Sequence, residues 1–283
     1  MKTFRDFQCG SVDRLALDGF VLLRQLCGSE LVELVLDVSR RRARALREAL
    51  GAREIGIGSA AGYVEIVQRS PGRWDVPITP QQFGFDDREM PWWPLVAAVL
   101  GEDAEHLFSG VVSSEPGNPA QYWHTDSPHV APEHRAAHAI NVLVALHDVP
   151  MAMGPTECAR GSHFLTNHLS NPSLVREELI YQHPDTSPEL LVKGTQCRVP
   201  ESCASSMAAG SCLVFDDRIL HRGLANRSDN TRYVAYFSYR RKGYFANTHF
   251  ESQRSVFDAT TGRRKGGDLN RLLQLGPFGE VLA

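Results

Sequence analysis

The spacing of apolar residues changes character along the chain. After the turn pair Asp18-Gly19, the short apolar run Phe20-Val21-Leu22-Leu23 predicts a strand. Leu31, Leu34, Val35, Val38, Leu46 and Leu50 then recur at helical spacing, which predicts a helix ending at Gly51. Ser29 is its expected N-cap, and Glu30 and Glu33 suit its first turn. Arg40, Arg41, Arg42, Arg44 and Arg47 read as a solvated face near the helix C-terminus, where the dipole favours cations. Residues 52–92 are irregular and rich in Gly, Pro and Asp, and a second helix is expected over Pro94–Leu100. From about residue 106, short apolar runs alternate with turn residues: His106–Val112, Ala139–Leu146, Cys212–Phe215 and Arg232–Tyr239. These predict an antiparallel sheet system rather than a βαβ series. A polar, helix-leaning insert at about 170–192 divides it. The expected class is α+β, mainly β: helices first, then a β-sandwich or jelly roll.

Composition narrows the setting. The 283 residues are 42% hydrophobic and 22% charged, which excludes wholesale disorder. A net charge of −3 argues against a nucleic-acid partner. The longest apolar stretch, Met90–Leu100, is broken by Pro91 and Pro94 and is too short for a bilayer. The N-terminal residues lack the apolar core of a signal peptide. Cysteines 9, 27, 158, 197, 203 and 212 form no CxxC pair, so reduced thiols are expected rather than a zinc finger or disulfide scaffold. The expected protein is soluble and cytoplasmic, with no nucleic-acid or membrane partner. A homodimer is compatible with it.

Three features carry chemistry. In Gln121-Tyr122-Trp123-His124-Thr125-Asp126, strand alternation would aim His124 and Asp126 at one point. His221 follows the strand-like Cys212–Phe215 and the turn Asp216-Asp217-Arg218, at the mouth of the sheet region. Two histidines and a carboxylate with open positions make the facial triad that suits non-haem Fe(II). Arg232, eleven residues past His221, opens a strand on the face shared with Val234 and Tyr236. A buried arginine there needs an anion, and its planar fork holds a carboxylate bidentately.

With these motifs the sequence resembles the phytanoyl-CoA dioxygenase-like Fe(II)/2-oxoglutarate oxygenases. Asp18-Gly19-Phe20-Val21-Leu22 resembles the family's N-terminal "DGF" strand, and Asn141–Asp148 its central "NxxWALxD" strand. Gly154-Pro155-Thr156 through Gly161-Ser162-His163 resembles "NGxT…PGSH", and His221-Arg222-Gly223 with Asn226 and Ser228 resembles "HRGxxNxS". The resemblance implies a double-stranded β-helix (jelly roll, cupin-like) with flanking N-terminal helices. It implies one dioxygenase domain over 1–283: a helical part to about 105, a jelly-roll core over 106–245 and an extension over 246–283. His124, Asp126 and His221 would ligate iron and Arg232 would hold the distal carboxylate of 2-oxoglutarate. Gln121 and Thr156 match cosubstrate-contacting residues of the branch acting on natural products, and Asn141 is a further candidate. The implied activity consumes O2 and 2-oxoglutarate, releases succinate and CO2, and oxidises a C–H of a small, largely apolar substrate, such as a secondary metabolite. An acyl-CoA substrate, a non-catalytic metal-containing binding protein and a cupin-like hydrolase or isomerase are the alternatives. Only the oxygenase readings call for Arg232.

Some positions depart from the family's pattern. Arg160 stands where Pro usually precedes Gly-Ser-His, Leu143 or Val144 where Trp stands, and Met153 where Asn precedes Gly154. His163 is expected to be structural, and His129, His134 and His138 to lie at the surface. Trp92, Trp93 and Trp123 suit core packing and substrate stacking equally. Tyr236 and Phe237 are expected in the core on opposite sheet faces.

Overall fold

The computed structural model describes residues 4–127, 131, 133–165, 189–192, 195–198, 201–244 and 254–257. Helix α1 (Phe4–Asp18) leads through Gly19 into β1 (Phe20–Leu23). Gly19 has φ of 82°, and a Cβ there would lie 2.7 Å from His163 Nδ1, so the turn needs glycine. Helix α2 spans Ser29–Leu50 and buries Val32, Val35, Val38 and Leu46 on one face. Its N-cap is Gly28, with no side-chain cap, so Ser29 is the first helical residue rather than the cap. Gly51 closes it at φ 59°.

Arg40, Arg44 and Arg47 of α2 are exposed, as expected of a solvated face, and the face also carries contacts. Arg41 pairs with Asp37 at 2.8 Å, Arg47 with Glu115 at 2.7 Å, and Arg40 lies over the Tyr233 ring. The stretch expected to be irregular contains a hairpin, β2 (Val67–Ser70) and β3 (Arg73–Pro77), turned by Pro71-Gly72. It also contains the short helix α3 (Pro80–Phe83), capped by a Thr79–Gln82 box. Helix α4 spans Trp93–Leu100.

The remaining strands are β4 (Glu105–Ser114), β5 (Ala139–Ala145), β6 (Thr156–Ala159), β7 (Glu189–Val192), β8 (Thr195–Arg198), β9 (Ser202–Ala204), β10 (Cys212–Asp216), β11 (His221–Gly223) and β12 (Arg232–Arg240). A seven-stranded antiparallel sheet runs β1-β10-β5-β12-β4-β3-β2, and a smaller sheet runs β11-β6-β9. This is the expected jelly roll. Its large sheet also takes in β1, the strand expected at Phe20–Leu23, and β2 and β3 from the stretch expected to be irregular, all of them before residue 105. One face of that sheet packs on the helices through Val111, Val142, Val144, Val214, Ala235 and Phe237. Trp92 belongs to this core, its indole N–H donating to Tyr239 Oη at 2.9 Å. The other face looks toward the small sheet. The insert at 170–188, His129 and most of the C-terminal extension lie outside the described residues. Among the described residues Cys27, Cys158, Cys203 and Cys212 are free thiols, and no helix is long and apolar enough to cross a membrane.

Candidate active site

His124 and His221 are cross-strand partners. His124 N–H donates to His221 O at 3.1 Å, and His221 N–H donates to His124 O at 2.9 Å. His124 forms only this isolated bridge and Asp126 lies in a bend, so regular strand alternation does not bring them together. What holds Asp126 is β10's exit: Asp126 N–H and Ser127 N–H both donate to Asp217 O, at 2.9 and 3.1 Å.

Each imidazole is oriented by its own backbone. Nδ1 of His124 lies 2.8 Å from Tyr122 O, and Nδ1 of His221 lies 3.1 Å from Ile219 O. A carbonyl can only accept, so each Nδ1 carries the proton and each Nε2 keeps its lone pair. Burial, then the neighbouring His221 ring, pushes His124 down to about 4, which keeps it neutral. One ligand atom from each of His124, Asp126 and His221 falls within 4.8 Å of the others, and His221 Nε2 is 3.8 Å from Asp126 Oδ1. Asn141 Nδ2 donates to Asp126 Oδ2 at 2.5 Å, and the Ser238 hydroxyl donates to Asn141 Oδ1. Asn141 therefore orients the carboxylate and leaves Oδ1 as the free oxygen. Two neutral nitrogens and one carboxylate oxygen fit Fe(II).

Across the cavity the register of β3, β4 and β12 sets Arg73, Ser114 and Arg232 side by side. Arg232 Nη2 donates to Ser114 Oγ at 3.0 Å, while Nε and Nη1 are buried without a partner. Burial pushes this guanidinium down to about 10. Arg73 is 1% exposed. Its Nη2 donates to Asn118 Oδ1 at 2.9 Å and Leu224 O at 3.0 Å, and its Nη1 to Gln121 Oε1 at 2.6 Å. Its Nε has no partner, and burial followed by Arg232's charge lowers it well below the usual range. Unspent buried N–H groups on two adjacent cations fit a dianion. Gln121 Oε1 also accepts from Gly223 N at 3.0 Å, so the protein occupies its carbonyl end. A Cβ on Gly223 would lie 1.7 Å from Arg73 Nη1, so glycine is required there.

His124, Asp126, His221, Arg232, Gln121, Thr156 and Asn141 all line one cavity of about 750 Å³. Its wall also holds Arg69, Arg73, Asp75 and Tyr236, which the sequence reading did not assign to the site. Trp123 lines it too, with Arg222 stacked 4.6 Å over its ring. Trp93 packs half-buried on Tyr239, away from the cavity. Of the departures from the family pattern only Leu143 reaches the cavity. Arg160 pairs with Asp18, and Met153 is buried in the small core. His163 is buried and bonds Ala16 O at 3.0 Å, the structural role expected of it. His134 is exposed, whereas His138 lies 3.3 Å from the Asp217 carboxylate and stacks on Tyr244.

A jelly roll with an HxD pair facing a distal histidine, and a buried arginine row across the same cavity, defines the class of non-haem iron oxygenases that use a 2-oxo acid. The family model for phytanoyl-CoA dioxygenase (PhyH) matches residues 15–234, and the chain belongs to this family. It is thus an Fe(II)- and 2-oxoglutarate-dependent dioxygenase. No curated protein matches the chain. Solved structures with the same fold include the α-ketoglutarate-dependent epimerase SnoN from nogalamycin biosynthesis, at 21% identity and TM-score 0.57 over 83% of this chain and 81% of that one. AviO1 from Streptomyces viridochromogenes Tue57 matches at 19% identity and TM-score 0.56, over 85% and 98%. HygX from Streptomyces hygroscopicus, solved with nickel and 2-oxoglutarate, matches at 15% identity and TM-score 0.55, over 88% and 93%.

Proposed function

We propose that His124, Asp126 and His221 hold the iron and that Arg232, with Arg73 beside it, holds the distal carboxylate of 2-oxoglutarate. The observation that carries this reading is one cavity joining the triad to buried guanidinium N–H groups with no partner. Bound iron with 2-oxoglutarate and O2 supplies the oxidising chemistry, with succinate and CO2 as by-products. The chain's part is geometric. The two Nδ1–H···O=C bonds fix the tautomers, Asn141 turns Asp126, and the Arg73–Gln121–Gly223 knot fixes the Gln121 amide so that its nitrogen is left for the cosubstrate. Thr156, at the start of β6 on the cavity wall, is a further hydroxyl for it.

The substrate on this reading is a small molecule of natural-product type, oxidised at a C–H by hydroxylation, desaturation or rearrangement. A volume of about 750 Å³ lies within the range of roughly 300–1,000 Å³ of pockets for drug-sized ligands. The chain works as one domain, in the cytoplasm, without a nucleic-acid or membrane partner; a homodimer is compatible with it. Incubation with Fe(II), ascorbate and 2-oxoglutarate against a panel of natural products tests this. Substrate-dependent succinate release that disappears in His221→Ala is expected. Equal release from that variant would remove the triad from the reaction.

A further inference from the structure

The cavity wall away from Arg232 carries a polar group that the proposed reaction does not use. Tyr236 on β12 stands opposite Gly110 on β4. A Cβ at Gly110 would lie 2.7 Å from Tyr236 Oη, so the phenol crosses β4 only because residue 110 is glycine. Its hydroxyl donates to Asp75 Oδ1 on β3 at 2.7 Å. Asp75 Oδ2 accepts from Arg69 Nε at 2.8 Å and Nη2 at 2.7 Å. Arg69, Asp75 and Tyr236 all line the cavity, and Asp75 and Tyr236 are buried.

The pair Arg69–Asp75 carries no net charge, so this wall does not select for an ion. Burial, followed by the nearby Asp75 carboxylate, raises the Tyr236 phenol well above its usual range, so it stays protonated. Its one proton is committed to Asp75, and its oxygen retains lone pairs. Toward a ligand the group is therefore an acceptor. Around it the cavity offers Phe108, Val112 and Leu143, and at its edge stand Ile57 and Tyr122, 53% and 45% exposed.

We propose that Tyr236, oriented by the Asp75–Arg69 pair, is a specificity-determining acceptor for a hydroxyl group on an otherwise apolar substrate. This rests on the proposed function and deepens it by naming the substrate class: a neutral, hydroxylated apolar compound rather than a plain hydrocarbon or a carboxylate. A correctly placed alcohol or phenol donates to Tyr236 Oη, while the same compound as a methyl ether leaves that oxygen unpaired.

The test is a binding measurement that needs neither turnover nor metal. Isothermal titration of the purified chain compares 2-naphthol with 2-methoxynaphthalene. About tenfold tighter binding of the naphthol is expected, the worth of one hydrogen bond. Tyr236→Phe keeps the Asp75–Arg69 pair and should abolish the preference. Asp75→Asn should also abolish or invert it, because the amide N–H then donates to Tyr236 Oη and frees the phenol proton for an acceptor. Equal wild-type affinities, no binding of either compound at 1 mM (about the upper limit of useful affinity), or a preference that persists in both variants would overturn the proposal. Failure of the iron and 2-oxoglutarate reading would appear separately, as absent succinate release with this preference intact.

Discussion

Replacing Arg232 with Met should separate cosubstrate binding from fold stability. Arg232 is 3% exposed and its guanidinium has one bond, to Ser114, while Nε and Nη1 have no partner. On the far side of its register partner Ser114 stands another buried arginine, Arg73. A buried cation with no counter-ion costs stability, so an apolar side chain of similar volume should be neutral or stabilising. The variant should therefore melt at or above the wild-type temperature without 2-oxoglutarate. Binding should suffer instead. Two charge-assisted bonds at about 1.5–3 kcal/mol each correspond to a roughly 100- to 10,000-fold weaker dissociation constant. Wild type at 100 times its dissociation constant gains about 2.7 kcal/mol. For a chain of this size that is a melting shift of roughly 5–10 °C. The assay is differential scanning fluorimetry with and without 2-oxoglutarate in the presence of a redox-inert divalent metal. A variant that melts well below wild type without ligand, or that keeps the ligand shift, would refute this reasoning.

Other consequences follow from the same geometry. Asn141→Ala frees Asp126 Oδ2 and should weaken metal binding by about 10- to 100-fold, the usual cost of losing a partner that orients a ligand; unchanged affinity in a Co(II) titration would make Asn141 a mere strand amide. His106 is half-buried with Nε2 shielded and unpartnered, and burial pushes it down to about 4 from 6.5. The unfolded chain then binds the extra proton between those values, so stability falls as pH drops through that window, by about 2 kcal/mol between pH 7.5 and 5. Urea melts should show His106→Leu losing that sensitivity, and equal acid loss in both proteins would assign it elsewhere. With Asp126 as the third protein ligand, as proposed, product made in high chloride should carry no halogen by mass spectrometry; a halogenated main product would show that the carboxylate is not bound to the metal.

The candidate triad was legible because a facial triad calls for specific side chains, and His124, Asp126 and His221 do converge. Arg232 was legible for a related reason: a cation amid apolar alternation demands an anion. Arg73 has the same burial and was not seen. It directly follows the Pro71-Gly72 turn, where an arginine reads as solvated, and only pairing with β4 places it beside Arg232. The turn itself was the available signal for the β2–β3 hairpin, which short length and interspersed charges concealed. Ser29 illustrates a boundary that local preference misplaces by one residue, since Gly28 already serves as the cap. Asn141 was identified as a site residue, but its bonds to Asp126 and Ser238 depend on register between β5 and β12, which no local pattern encodes. The Asp75–Tyr236 contact likewise depends on a glycine on the strand between them.

The most direct measurement of the central claim is an anaerobic titration of the purified protein with Fe(II) and 2-oxoglutarate, following the visible absorption of the iron–2-oxo acid chelate. One chelate per chain is expected in wild type, none in His124→Ala or His221→Ala, and a weaker 2-oxoglutarate dependence in Arg232→Met with the metal still bound. An undiminished chelate in the histidine variants, or none in wild type, would contradict the assignment of these residues to the iron and its cosubstrate.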